Sequence, residues 1–122
     1  MKIAIPVDEK SLESKVCISF GRTPYFLIYD TDTKEDVFID NLATSSSGGA
    51  GIKAAQLIVD NKVDVMLTPR CGENAANVLM AADTDIFKTI TASAKDNIDS
   101  FIAGELSLLD EVHEGFHGHG GN

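Results

Sequence analysis

The passage from Val63 to Ala82 constrains the fold of this chain more than any other. Val63-Asp64-Val65-Met66-Leu67 is an apolar run of strand length, and Thr68-Pro69 ends it, because proline brings no N–H to a ladder. From Asn74 to Ala82 the pattern turns helical, with Ala75, Ala76, Val78, Leu79 and Ala82 on an inner face. A strand that stops at proline and restarts as a helix leaves its loop at the carboxyl edge of a sheet. Open α/β sheets take their ligands there.

The rest of the chain supplies the partners of that unit. Lys2 to Val7 is apolar throughout, as suits a strand buried on both faces, and Pro6 lies near its end. Asp8 to Ser14 reads as a loop, and Val16 to Phe20 as a short extended piece broken by Gly21-Arg22-Thr23-Pro24. Tyr25 to Asp30 is a strand rich in aromatic and β-branched residues. Thr31 to Lys34 is turn chemistry, and Glu35 to Asp40 returns as a hairpin partner whose charges guard a sheet edge. Helices are predicted over Ile52–Asn61 and Ala94–Ala103, the latter ended by Gly104, with a short strand over Ile86–Ile90. Leu106 to Val112 fits neither period. A strand, a hairpin and then alternating helices and strands predict a three-layer α/β/α domain. Its sheet is mixed and five-stranded, with helices on both faces and parallel crossovers after residue 48.

Composition narrows the function. At 122 residues the chain fits one domain, and its net charge of −9 repels phosphate, so nucleic acid is not an expected partner. The charge suits a solvated surface or a protein that handles metal-containing ligands. No apolar run approaches the roughly 20 residues of a membrane span, and the start is too soon interrupted by Pro6 for a signal peptide. The expected location is cytoplasmic, where the two cysteines, Cys17 and Cys71, are expected to stay free of a structural disulfide.

Four stretches could carry chemistry. Ser45 to Gly51, with Gly48-Gly49-Ala50-Gly51, precedes a helix and could bind an anion through backbone N–H groups, though it matches no nucleotide fingerprint. The other reading is a flexible connector with a serine cap. Phe20-Gly21-Arg22 joins an aromatic, a permissive glycine and a fixed cation; Arg22 could hold an anion or pair with an acid. Cys71, beside Arg70 and near a helix start, has the setting that stabilises a thiolate, the form that ligates soft metals; the other reading is an inert thiol at a strand end. Without a Cys-x-x-Cys or a neighbouring base it is neither a four-thiolate cluster site nor an equipped nucleophile. Cys17 reads as a small core residue as readily as a ligand. The C-terminal stretch carries all three histidines, His113, His117 and His119, among glycines. It reads either as a divalent transition-metal tail or as a disordered solubilising one.

Taken together, Met1 to Asp8, Val16-x-x-x-Phe20-Gly21-Arg22-x-Pro24-Tyr25-Phe26, Gly48-Gly49-Ala50-Gly51 and Cys71-Gly72-x-Asn74-Ala75 resemble the dinitrogenase iron–molybdenum cofactor biosynthesis family. The resemblance covers about residues 1–105, leaving 106–122 as a Gly/His-rich tail. It implies a ribonuclease H-like fold and non-catalytic binding or transfer of a metal–sulfur cluster, of iron with or without molybdenum. Its implied partners are metallocluster donor or acceptor proteins. By the same resemblance Cys17, Phe20, Gly21, Arg22, Gly48, Gly49, Gly51, Arg70, Cys71, Gly72 and Asn74 converge on one anionic pocket. Two departures stand out: Ser19 where members often carry histidine, and Glu73, a carboxylate, where proline is frequent.

Two other classes compete. A ribonuclease H-like architecture can host phosphoryl transfer on two divalent metals held by carboxylates, for which Asp8 and Asp64 are the candidates. The other is a partner-binding module that carries no cofactor.

Overall fold

The computed structural model describes residues 1–45 and 48–109. Five strands form one mixed sheet in the order β3-β2-β1-β4-β5, with β1 Lys2–Val7, β2 Tyr25–Asp30, β3 Glu35–Asp40, β4 Val65–Thr68 and β5 Asp85–Lys88. β2 pairs antiparallel with both β1 and β3, while β4 pairs parallel with β1 and β5. The β1–β4 pairs, Ile3 with Val65 and Ala4 with Met66, stop short of Pro6, which therefore sits in a central strand without costing that ladder a bond.

Alternation along the strands sends side chains into two cores. On one face Ala4, Phe26, Ile28, Met66 and Ile86 pack against α1 (Ala50–Asp60) and α2 (Glu73–Ala81) through Ala54, Ala55, Ile58, Ala76 and Leu79. On the other face Ile3, Ile5, Leu27, Val65 and Leu67 pack against α3 (Ala94–Ile102) through Ala94 and Ile98. The small residues of α1 and α2 let both helices lie close to the sheet and to each other. The expected three-layer arrangement and mixed five-stranded sheet are therefore present.

Element ends differ from expectation by a turn or less. α1 begins at Ala50 rather than Ile52, because Gly49 takes a left-handed conformation (φ 70°) and serves as the N-cap without a side-chain acceptor. Val16 makes only an isolated bridge to Val7, and neighbouring Lys15 one to Ser93. Beyond α3, Lys88 N donates to Ser107 O and Leu109 N to Ile86 O, so residues 107–109 run back along β5 towards its amino end. Among the described residues no helix is long and apolar enough to cross a membrane.

Candidate functional site

A cavity of ≈ 590 Å³ opens at the carboxyl edge of β1 and β4. Three segments line it: Ile18 to Gly21 from the loop after β1, Gly49 to Ile52 at the start of α1, and Arg70 to Ala75 at the start of α2. The two helix starts meet there. A Cβ built on Gly51 would lie 3.6 Å from the Ala75 Cβ, in ordinary contact. Each helix presents N–H groups ahead of its own ladder, which begins with Lys53 N to Gly49 O in α1 and Ala76 N to Gly72 O in α2. Neither N-cap, Gly49 or Gly72, contributes a side-chain hydrogen bond. The positive ends of two helix dipoles therefore face one cavity.

The Phe20-Gly21-Arg22 element shapes this cavity through its backbone and its packing. Phe20 is buried against Phe26, with ring centroids 5.4 Å apart. Gly21 lies directly on α1: a Cβ there would fall 3.0 Å from Gly51 N and 3.1 Å from Gly51 Cα. Buried Asn41 holds the loop from behind, its Nδ2 donating to Gly21 O at 3.1 Å and to Thr23 O at 2.9 Å. Arg22 is turned away from the cavity. Its Nη1 donates to Thr44 O at 3.0 Å, and it lines a neighbouring shallow depression with Tyr25, Asp40 and Thr44. It braces the chain that leads into α1, and the expected convergence of its charge on the pocket is corrected by that bond.

Cys71 lies deep at the edge of this cavity. The residue is 1% exposed and belongs to the core beneath α1 and α2. Burial pushes its thiol up from 9.0 to about 12, against the stabilised thiolate expected from Arg70 and the helix start. Desolvation disfavours the charged sulfur, so the group is a neutral thiol at neutral pH. Arg70 is exposed at the cavity and forms no ion pair with a described residue.

Of the sequence candidates, Phe20, Gly21, Gly49, Gly51, Arg70, Cys71, Gly72 and Asn74 line the cavity together. Gly48 is exposed, and half-buried Cys17 directs its Sγ to Ser19 O at 3.7 Å; neither is among the lining residues. Both cysteines are free. His113, His117 and His119 lie outside the described residues. The lining also includes Ala50, Ile52 and Ala75, which the candidate set omitted. A helix start placed at Gly49 rather than Ile52 would have found the first two, since a helix exposes its first-turn N–H groups whatever the side chains. Asp8 and Asp64 do not approach each other. Asp64 accepts from Lys2 N at 2.8 Å at the start of β1, whereas Asp8 follows its end, a separation on the order of 20 Å for such a strand. Among the described residues no group of three or more His, Cys, Asp or Glu could hold a metal ion.

The fold and cavity define a class: a small three-layer α/β protein whose sheet edge carries a cavity between two helix starts. The family model described as "Dinitrogenase iron-molybdenum cofactor" matches residues 1–104, and the chain belongs to that family. An uncharacterised protein of Methanocaldococcus jannaschii is 30% identical over 113 residues, covering 90% of this chain and 92% of that one. The apo form of the orange protein from Desulfovibrio gigas superposes with a TM-score of 0.87 at 26% identity, covering 93% and 96% of the two chains. A Thermotoga protein solved by NMR as a candidate NifB protein gives a TM-score of 0.81 at 30% identity, covering 93% and 97%.

Proposed function

We propose that this chain is a non-catalytic carrier that binds an anionic metal–sulfur cluster, of iron or of iron and molybdenum, and passes it on during metallocofactor assembly. The observation that carries the reading is the meeting of two helix N-termini, both without side-chain caps, at one cavity beside Arg70. The cluster is cargo, and the residues present suit it as an anion held by its outer sulfides. N–H groups of residues 50–52 and 73–75 would donate to those sulfides, and Arg70 would offset charge. Cys71 would become a ligand only by releasing its proton and losing part of its burial, so binding through it would acidify the medium. Membership of a cofactor-related family supports this reading.

In this proposal the scaffold is ribonuclease H-like, the setting cytoplasmic, and the partners are metallocluster donor or acceptor proteins. The tail histidines hold a separate divalent transition metal. The separation of Asp8 from Asp64 speaks against the phosphoryl-transfer alternative.

Anaerobic reconstitution with iron, sulfide and molybdate, followed by gel filtration and metal and sulfide analysis, tests the reading. Wild type should retain a metal–sulfur chromophore, and the Arg70→Glu variant should lose most of it while keeping its fold. A colourless wild type, or an equal yield in Arg70→Glu, would contradict it.

A further inference from the structure

Two charged side chains line the cavity, Arg70 and Glu73, and their formal charges cancel. They do not pair with each other, and neither forms an ion pair with another described residue. Glu73 is the first residue of α2 and is half-buried. A carboxylate at that position interacts favourably with the positive end of its own helix, which is the partial charge an incoming anion would use. α1 has no acidic residue in its first turn. The two helix starts are therefore unequal: one is open to anions, and the other already holds a negative charge.

We propose that Glu73 is a specificity-determining residue, a built-in competitor that weakens the cavity's hold on compact, densely charged anions. Its effect falls hardest on an anion whose charge is concentrated close to α2. A large metal–sulfur anion spreads its charge over several sulfides across a cavity of ≈ 590 Å³, so a smaller share of it stands against Glu73. Discrimination between cluster and sulfate or phosphate then comes from repulsion as well as from fit. The inference rests on the carrier reading for its cargo, but the repulsion itself is measurable without a cluster.

The test is anaerobic equilibrium dialysis of inorganic sulfate and of tetrathiomolybdate, a metal–sulfur dianion, against wild type, Glu73→Gln and Glu73→Asp, with melting curves to verify folding. Removing the charge should tighten sulfate binding roughly two- to thirtyfold, the range for a charge at a helix terminus. Tetrathiomolybdate should gain by a smaller factor, Glu73→Asp should behave as wild type, and added salt should shrink the differences. Sulfate binding unchanged or weakened in Glu73→Gln would overturn the inference, the weakened case identifying Glu73 as a ligand. Tighter sulfate binding in Glu73→Gln with no uptake of tetrathiomolybdate by either protein would uphold Glu73's role and sink the carrier reading. No uptake of either anion by any variant would sink both.

Discussion

Replacing Gly21 by alanine tests how tightly the loop after β1 is set against α1. The new Cβ would sit 3.0 Å from Gly51 N, 3.1 Å from Gly51 Cα and 3.3 Å from Ala50 C. All three atoms are backbone at a helix start, so no side-chain rotation relieves the clash. Either the loop or the first turn of α1 must move. Overpacking of this kind costs about 1–3 kcal/mol, partly offset by the roughly 0.4–1 kcal/mol that alanine gains through a less flexible unfolded chain. The net loss should be about 1–2 kcal/mol, a drop of roughly 4–10 °C in melting temperature for a domain of this size. Gly48→Ala is the internal control, because a Cβ there meets nothing within 4 Å; its effect should stay within about 0.5 kcal/mol. Calorimetric melting of both variants gives the comparison. Equal stability of Gly21→Ala and Gly48→Ala would refute the close approach, and with it the account of the Phe20-Gly21-Arg22 element as a cavity wall.

Three further outcomes follow from the same geometry. Because burial raises the Cys71 thiol from 9.0 to about 12, the native chain keeps a proton that the unfolded chain loses between those pH values. This contribution is fully present below pH 9 and is lost as pH rises to about 12, at most about 4 kcal/mol in all. In denaturant titrations across that window, any stability advantage of wild type over Cys71→Ala should therefore shrink; a constant difference would mean the thiol is not desolvated. Ser93 caps α3 by accepting from Asp96 N at 3.2 Å, so Ser93→Ala should lose about 1 kcal/mol by thermal melting without altering anion binding at the cavity. A chain ending at Leu109 should retain the cavity's binding of tetrathiomolybdate in dialysis, since residues 107–109 run away from that edge of the sheet. The same truncation should lose any divalent metal bound by His113, His117 and His119.

Much of the fold was legible because its signals are local. The bounds of β1, β2 and β3 follow directly from Lys2–Val7, Tyr25–Asp30 and Glu35–Asp40, where apolar runs end at turn residues. The cavity was legible in outline, since glycine-rich helix starts after strands recur at sheet edges. Three details were not. The left-handed cap at Gly49 depends on a φ of 70° that glycine permits but does not dictate. The direction of Arg22 depends on Thr44 O, twenty-two residues away in sequence, an acceptor that exists only once the chain has turned back on itself. The state of Cys71 depends on how deeply the loop sinks between α1 and α2, and burial reverses the sign expected from its neighbours. Contacts distant in sequence decide the last two, and no periodicity encodes any of the three.

In the proposed carrier, the cavity between the starts of α1 and α2 holds the cargo. Anomalous diffraction at the iron and molybdenum edges, from crystals of anaerobically reconstituted protein, tests it most directly. Metal density is expected inside the cavity, within hydrogen-bonding reach, through bound sulfide, of the N–H groups of residues 50–52 and 73–75. Metal density confined to the histidine tail, or a loaded protein whose cavity stays without metal, would contradict it.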